Sequence, residues 1–408
     1  MTDLRSTLGP LQIDRILELA RRHLEMDVAY VAACEDGEQV LKAVSGDAAS
    51  FSMEVGVRTP MPDTFCAQMV LDDVPTVVVD AANDERVRDL PAMKKFGIGS
   101  YIGVPVHAGN GSFYGSFCCV SHRSQPGLDR RDVRFLEMLA EVLVDELDAQ
   151  QARDHSRHEV QGLLDGDQVD IALQPVVSLE TGRCLGMEAL ARFPAGFGTP
   201  DTVFAAAHAV GLGLELERMA LRCAYQLLET LRDPIYIGLN LAPDVALELV
   251  KSMPPDVEIP WRRVVLEITE HALVADYAEL RDVLKPLREQ GLRVAVDDAG
   301  AGYASMQHVV EMRPDIIKID RTLVDGLAND PARRSVVSGF VLLAYELGAT
   351  VLAEGVETSE DLQAARRLGA TCAQGYVIAR PSLDPADHRR WGGAHDLLAD
   401  VGLGNLRR

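Results

Sequence analysis

Glu188, Glu267, Asp297, Asp298 and Glu354 stand at or near the C-terminal ends of short apolar runs, and Asn240, Lys318 and Gln374 end others in the same way. Five carboxylates converging on one place repel one another and are costly to hold ionised unless cations neutralise them. All the candidate ligands are hard oxygen donors with no histidine among them, a set that selects Mg²⁺ or Mn²⁺ over Zn²⁺. The adjacent pair Asp297 and Asp298 suits two ions, because one carboxylate can bridge while its neighbour binds only the second. Two such ions, roughly 3.5–4 Å apart, clamp the attacking and leaving oxygens of an in-line displacement at phosphorus. The residues therefore favour phosphodiester hydrolysis.

The runs that must position them begin at Ile171, Gly186, Ile235, Val264, Arg293, Ile316, Thr350 and Cys372. Each is strand-sized, rich in Val, Ile and Leu, and too apolar to alternate, as strands buried on both faces are. Segments of helical period separate most of them, for example Asp276 to Gln290, Arg333 to Leu347 and Ser359 to Leu368. Repeated strand and helix units predict a mainly parallel sheet, and eight of them predict closure into an α/β barrel of (β/α)8 type, with its chemistry at the C-terminal strand ends.

The strings EALAR from Glu188, NLA from Asn240, EITE from Glu267, DDAGAGY from Asp297, KID from Lys318, AEGVET from Ala353 and QGY from Gln374 together resemble an EAL domain, over roughly residues 160 to 390. The resemblance implies a TIM-like barrel that hydrolyses cyclic di-GMP to linear pGpG. It implies a first metal held by Glu188, Asn240, Glu267 and Asp297, and a second by Asp297, Asp298 and Glu354. It gives catalytic work to Lys318, which would orient or polarise the attacking water, to Glu354, to Gln374 beside the water or substrate, and to Glu270, which would brace the loop after Asp298 and couple it to a dimer. Arg192, whose planar fork suits a phosphate, would contact substrate together with Leu190 and Gln174. The family's DDFGTGYSSL reads DDAGAGYASM here, its YQP reads Leu173-Gln174-Pro175, and a glutamate common in its first barrel helix reads His208. None of these departures falls on an implied metal ligand; they bear on loop dynamics and rate. The rival reading is a receptor that binds cyclic di-GMP without turning it over. Degenerate receptors of this kind usually lack metal ligands, whereas this chain keeps the whole set. A bifunctional cyclase is excluded by the lack of any GGDEF-like string.

With 408 residues the chain predicts two or three domains, and 47% hydrophobic content is ample for packed cores. A formal net charge of −22 argues against a nucleic-acid-coating surface, while a small anionic dinucleotide is admissible because bound metals reverse the local field. The longest apolar stretch, Val336 to Leu352, is broken by Glu346 and fits a barrel helix, so no membrane span is expected. Seven cysteines, an odd count without a secretory signal, read as reduced thiols of a cytoplasmic protein.

The N-terminal region reads as a separate α+β unit. Residues 1–10 are expected to be a flexible start, and Leu11 to Met26 an amphipathic helix with Ile13, Ile16, Leu17, Ala20 and Leu24 on one face. Strand-like runs follow at VAYVAACE, QVLKAVSG, TVVVDA, SYIGVPVHA and GSFYGSFCCVSH, giving five or six antiparallel strands, and a helix returns from Asp129. The pieces SYIGVPVHAGNGSFYGSFCCVS and TVVVDAANDERVRDLP resemble a GAF sensor domain, taken as residues 11–150. Its ligand is unspecified: the cyclic-nucleotide pattern is missing, and Ala67 follows Cys66 where a bilin-attaching domain has histidine. Of the adjacent Cys118 and Cys119, one is expected inward and the other outward, and His107 and His122 are expected at the surface. A helix over residues 134–164, with Leu136, Leu139, Leu143 and Leu147 in phase, either docks on its own GAF sheet or pairs with a second copy and runs into the barrel; the second is preferred, so a homodimer is expected. The barrel domain is taken as 165–392 and the tail as 393–408.

Overall fold

The protein is described here from a computed structural model, which describes residues 11–61, 64, 76–108, 111–252, 259–268, 276–300, 304–400 and 402. It divides into two compact units, Met1–His155 and Ser156–Arg408.

The first unit opens with α1 (Leu11–His23), whose Ile13, Ile16, Leu17 and Ala20 are buried at the predicted helical spacing. A six-stranded sheet follows, in the order β3-β2-β1-β6-β5-β4, from β1 (Val28–Glu35), β2 (Glu38–Gly46), β3 (Arg58–Pro60), β4 (Val77–Val78), β5 (Ser100–His107) and β6 (Phe113–Ser121). All its pairings are antiparallel. The run TVVVDA forms only the two residues of β4, and β3 is a strand that the sequence pattern does not announce. One face packs against α1 and the start of α3 (Arg130–Asp165), through Leu136, Ala140, Leu143 and Leu147. The other face is covered by Phe51, Ala81, Val87 and, from α2 (Pro91–Phe96), Met93. Because both faces are covered, Cys118 and Cys119 are both fully buried, on opposite sides, and the expectation that one points outward is corrected. The first half of α3 thus docks on its own sheet, while Met138 and Val142 stay exposed.

The second unit is a closed barrel of β7 (Asp170–Ser178), β8 (Cys184–Arg192), β9 (Tyr236–Leu241), β10 (Val264–Ile268), β11 (Arg293–Ala299), β12 (Ile316–Ile319), β13 (Thr350–Ala353) and β14 (Cys372–Ala373). Around it run α4 (Pro200–Ala209), α5 (Gly213–Leu228), α6 (Pro243–Ser252), α7 (Tyr277–Glu289), α8 (Ala304–Met312), α9 (Arg321–Val324), α10 (Pro331–Leu347), α11 (Ser359–Leu368), α12 (Pro385–Trp391) and α13 (Leu397–Asp400). Helix starts are fixed locally: Asp276, Asp330 and Thr358 each accept from backbone N–H groups of the first turn. The barrel is not uniformly parallel. β7 and β8 form a hairpin turning at Gly182, with φ of 70°, and β7 also pairs antiparallel with β14. An apolar run looks the same in either direction, so the expected strand and helix alternation fails at this first step. Among the described residues no helix is long and apolar enough to cross a membrane.

Candidate functional site

Six strands bring their acids and amides to one rim. Glu188 of β8 lies opposite Gly238 of β9, and Asn240 opposite Glu267 of β10. Gly238 is what makes room between them: a Cβ on it would fall 2.1 Å from Glu267 Oε1. β11 supplies two consecutive acids, which in a regular strand would point to opposite faces. Its register against β12 shifts between Val296 and Ala299, and Asp298 takes a positive φ of 54°. This bulge re-aims the chain so that both carboxylates serve one centre, at the cost of a conformation that non-glycine residues rarely adopt.

Lys318 of β12 is 1% exposed and sits among four carboxylates. Its Nζ lies 2.8 Å from Glu354, 2.9 Å from Asp297 and 3.6 Å from Glu188, and it also pairs with Glu267. Four ionised carboxylates outnumber the one ammonium by three. Burial pushes the Glu267 carboxyl up to about 8; Lys318 opposes this, while Glu188 and Asp297 add to it. Glu354 is raised for the same reasons, first of all burial. Burial pulls Lys318 down, but Asp297, Glu188, Glu267 and Glu354 together hold it well above its ordinary value. The Gln374 amide N–H₂ donates to Gln174 and Glu188, and Asn240 donates to Glu188 at 2.9 Å. Gln374 Oε1 is buried without a hydrogen-bond partner among the described residues.

Ligand atoms of Glu188, Glu267 and Asp297 lie within 4.8 Å of one another, as do those of Asp297, Asp298 and Glu354. The two groups share Asp297. Surplus negative charge, raised carboxyls and an all-oxygen donor set are what hard divalent cations relieve, so the residues fit such ions. A cleft of about 470 Å³ opens from this rim, lined by Asn240, Asp297 and Asp298 at the carboxylate end, by Leu190 and Arg192, and by Phe204, His208 and Glu217 beyond.

The family model described as EAL domain matches residues 157–381, more than half of the 408 residues. The chain belongs to the EAL-domain family. A GAF domain model matches residues 12–147, ahead of it. The EAL domain is 33% identical over 224 residues to the cyclic di-GMP phosphodiesterase PA2567 of Pseudomonas aeruginosa, covering 52% of this chain and 38% of that protein. It is 32% identical over 232 residues to the cyclic di-GMP phosphodiesterase RocR of the same organism, covering 53% of this chain and 58% of that protein. The matched part therefore spans less than two thirds of the length of these relatives. The crystal structure of an EAL domain protein from Listeria monocytogenes superposes with a TM-score of 0.50 at 22% identity, over 57% of this chain and 96% of that one, and shares its fold.

Within the EAL domain the structure brings Glu188, Asn240, Glu267, Asp297, Asp298, Lys318, Glu354 and Gln374 together at the rim. Arg192 and Leu190 line the cleft; the Arg192 guanidinium donates to Ala191 O at 2.8 Å. Gln174 lies buried beside Gln374, whose amide donates to its Oε1 at 3.0 Å, and itself donates to Ala379 O at 2.9 Å. Glu270, Ala301 and Gly302 lie outside the described residues. Ala299 is buried, and Gly300, at φ of 107°, has Leu323 2.1 Å from where a Cβ would stand. Three features were missed from sequence: the space at Gly238, the bulge in β11, and the cleft wall formed by Phe204 and Glu217. A glycine inside an otherwise apolar strand, two residues before Asn240, is the available signal for the first.

In the GAF domain His107 is exposed, and so is His122, stacked on Phe51 at 3.9 Å and hydrogen-bonded to Gly97 and Ser50. Cys66 lies outside the described residues.

Proposed function

We propose that this chain hydrolyses cyclic di-GMP to linear pGpG with two divalent cations, Mg²⁺ or Mn²⁺, under the control of its GAF domain. The observation that carries the reading is the convergence of Glu188, Glu267, Asp297, Asp298 and Glu354 on one rim, in two ligand groups sharing Asp297 and opening on the cleft. Glu188, Asn240, Glu267 and Asp297 would hold one ion, and Asp297, Asp298 and Glu354 the other. Bound ions supply an activated nucleophile and stabilise the leaving oxygen.

The protein's own groups do the rest. Lys318, unable to leave its buried seat, offsets charge that grows on the phosphoryl oxygens and holds water against them. Gln374, oriented by Gln174 and Glu188, keeps Oε1 as an acceptor for a water proton. Arg192 offers its planar donors to a phosphate from the cleft wall. The names of the relatives support the substrate.

A homodimer belongs to the same proposal. Its support is the exposed apolar side chains Met306 and Val310 on α8, Leu342 and Tyr345 on α10, and Met138 and Val142 on α3.

Incubating the purified chain with cyclic di-GMP and Mn²⁺ or Mg²⁺ and separating the nucleotides tests the activity. Linear pGpG should form with either ion and not in EDTA, and Glu188→Ala or Asp297→Ala should lower turnover by orders of magnitude. Tight binding without product would establish the receptor instead.

A further inference from the structure

One wall of the cleft carries a pair that takes no part in the metal centre. His208, in the last turn of α4, places Nε2 2.7 Å from Oε1 of Glu217 on α5. Glu217 is only 7% exposed, yet it lines the cleft that leads to Asn240 and Asp297. The imidazole has a seat of its own: a Cβ on Gly213 would fall 2.3 Å from His208 Nδ1 and 2.6 Å from Cγ, so the ring fits only over a residue without one. An ionised carboxylate is an acceptor alone, so the contact requires a proton on Nε2. The terminal torsion of a glutamate is broad and two-fold. Pinning one oxygen therefore decides where the other points.

The geometry points to His208 as a positioning residue for substrate binding, which fixes the Glu217 carboxylate as an acceptor for N–H groups on the edge of a purine base. The inference rests on the proposed function, since a cyclic dinucleotide is what brings such an edge into this cleft. Phe204 lies one turn before His208 and lines the same wall, packed edge-on against Phe193 with centroids 5.6 Å apart; its face suits a flat base. Because base binding is remote from the reacting phosphorus, its loss weakens ground-state and transition-state complexes alike and raises KM without lowering kcat.

The test is steady-state hydrolysis of cyclic di-GMP with Mn²⁺ by the full chain, comparing wild type, His208→Phe, His208→Gln and Gly213→Ala, with thermal melting of each. His208→Phe keeps the ring volume and loses the donor. Gly213→Ala keeps the donor and displaces the ring. Both should raise KM about tenfold, as expected for the loss of a hydrogen bond to a charged group, with kcat within about twofold of wild type. His208→Gln, which retains an N–H donor, should recover most of the loss. A purely structural role would lower the melting temperature and leave KM alone, and that result overturns the inference. So does a fall in kcat at constant KM, or equal defects in His208→Gln and His208→Phe. A wild type that neither binds nor cleaves the dinucleotide overturns both this inference and the function beneath it. An active wild type with unmoved KM in both His208→Phe and Gly213→Ala overturns this one alone.

Discussion

Gly238→Ala separates the geometry of the centre from the stability of the fold. Gly238 is not among the residues at positive φ, so alanine can adopt its backbone, and in a strand alanine loses less chain entropy than glycine. What the new methyl meets is Glu267 Oε1 at 2.1 Å, where ordinary contact begins at 3.4 Å. The obstacle is the far end of a side chain, so the fold yields cheaply, but the carboxylate must retreat by about 1 Å from its place beside Glu188 and Asp297. A misplacement of about 1 Å in a catalytic constellation costs about 10²-fold, equivalent to about 2.7 kcal/mol of barrier. The assay is kcat/KM for cyclic di-GMP at saturating Mn²⁺, alongside calorimetric Mn²⁺ binding and melting in EDTA. We expect a loss of about 100-fold, weaker Mn²⁺ binding, and a melting temperature close to wild type. Activity within about threefold of wild type, with unchanged Mn²⁺ affinity, would refute the assignment of Glu267 as a ligand.

Lys318→Met should leave four buried carboxylates without their ammonium, costing about 3–5 kcal/mol in EDTA, with Mn²⁺ restoring much of it; equal melting of variant and wild type in EDTA would show the charges to be neutralised some other way. Asp27 is pushed up by burial, but its bonds from Ser121 and the His122 N–H, with Arg123 nearby, leave its carboxyl below the ordinary value. A depressed folded-state value gives stability that is present above the unfolded value and lost as pH falls through the folded one. The melting gap between wild type and Asp27→Ala should accordingly shrink on acidification below the usual carboxylate range, and a constant gap counts against it. Gln150→Pro, placed inside α3, breaks the helix locally at a cost of about 3 kcal/mol; it should change the specific activity of the barrel if the helix relays control, and kinetics equal to wild type would remove α3 from that role.

The rim was legible because motif and topology coincide: an acid that ends an apolar run must emerge at one face of a barrel, wherever the intervening helix goes. Helix limits were equally readable where a cap marks them, as Asp276 and Thr358 do, whereas the helix capped by Asp330 begins at Pro331, two residues before the Arg333 read from sequence. The direction of β7 was not, since its apolar run carries no sign of polarity and the turn at Gly182 is short. Nor was the bulge by which Asp297 and Asp298 reach the one centre expected of them, which depends on a register shift against β12, a strand about twenty residues further on. The expectation that one of Cys118 and Cys119 points outward failed because the second cover of the GAF sheet comes from Phe51 and from residues 81–98, segments with no strong periodicity of their own.

The reversed first strand has a consequence for how the barrel is entered. In an all-parallel barrel the chain arrives at the floor and must climb a full strand before reaching the chemistry. Here β7 runs downward, so Asp170, its first residue, already pairs with Arg192 at the top of β8, and four residues later Gln174 lies opposite Glu188. The segment that ends α3 at Asp165 therefore delivers the chain at the carboxylate-bearing lip. A shift of one residue in register there would exchange the faces of β7 and withdraw Gln174 from Gln374.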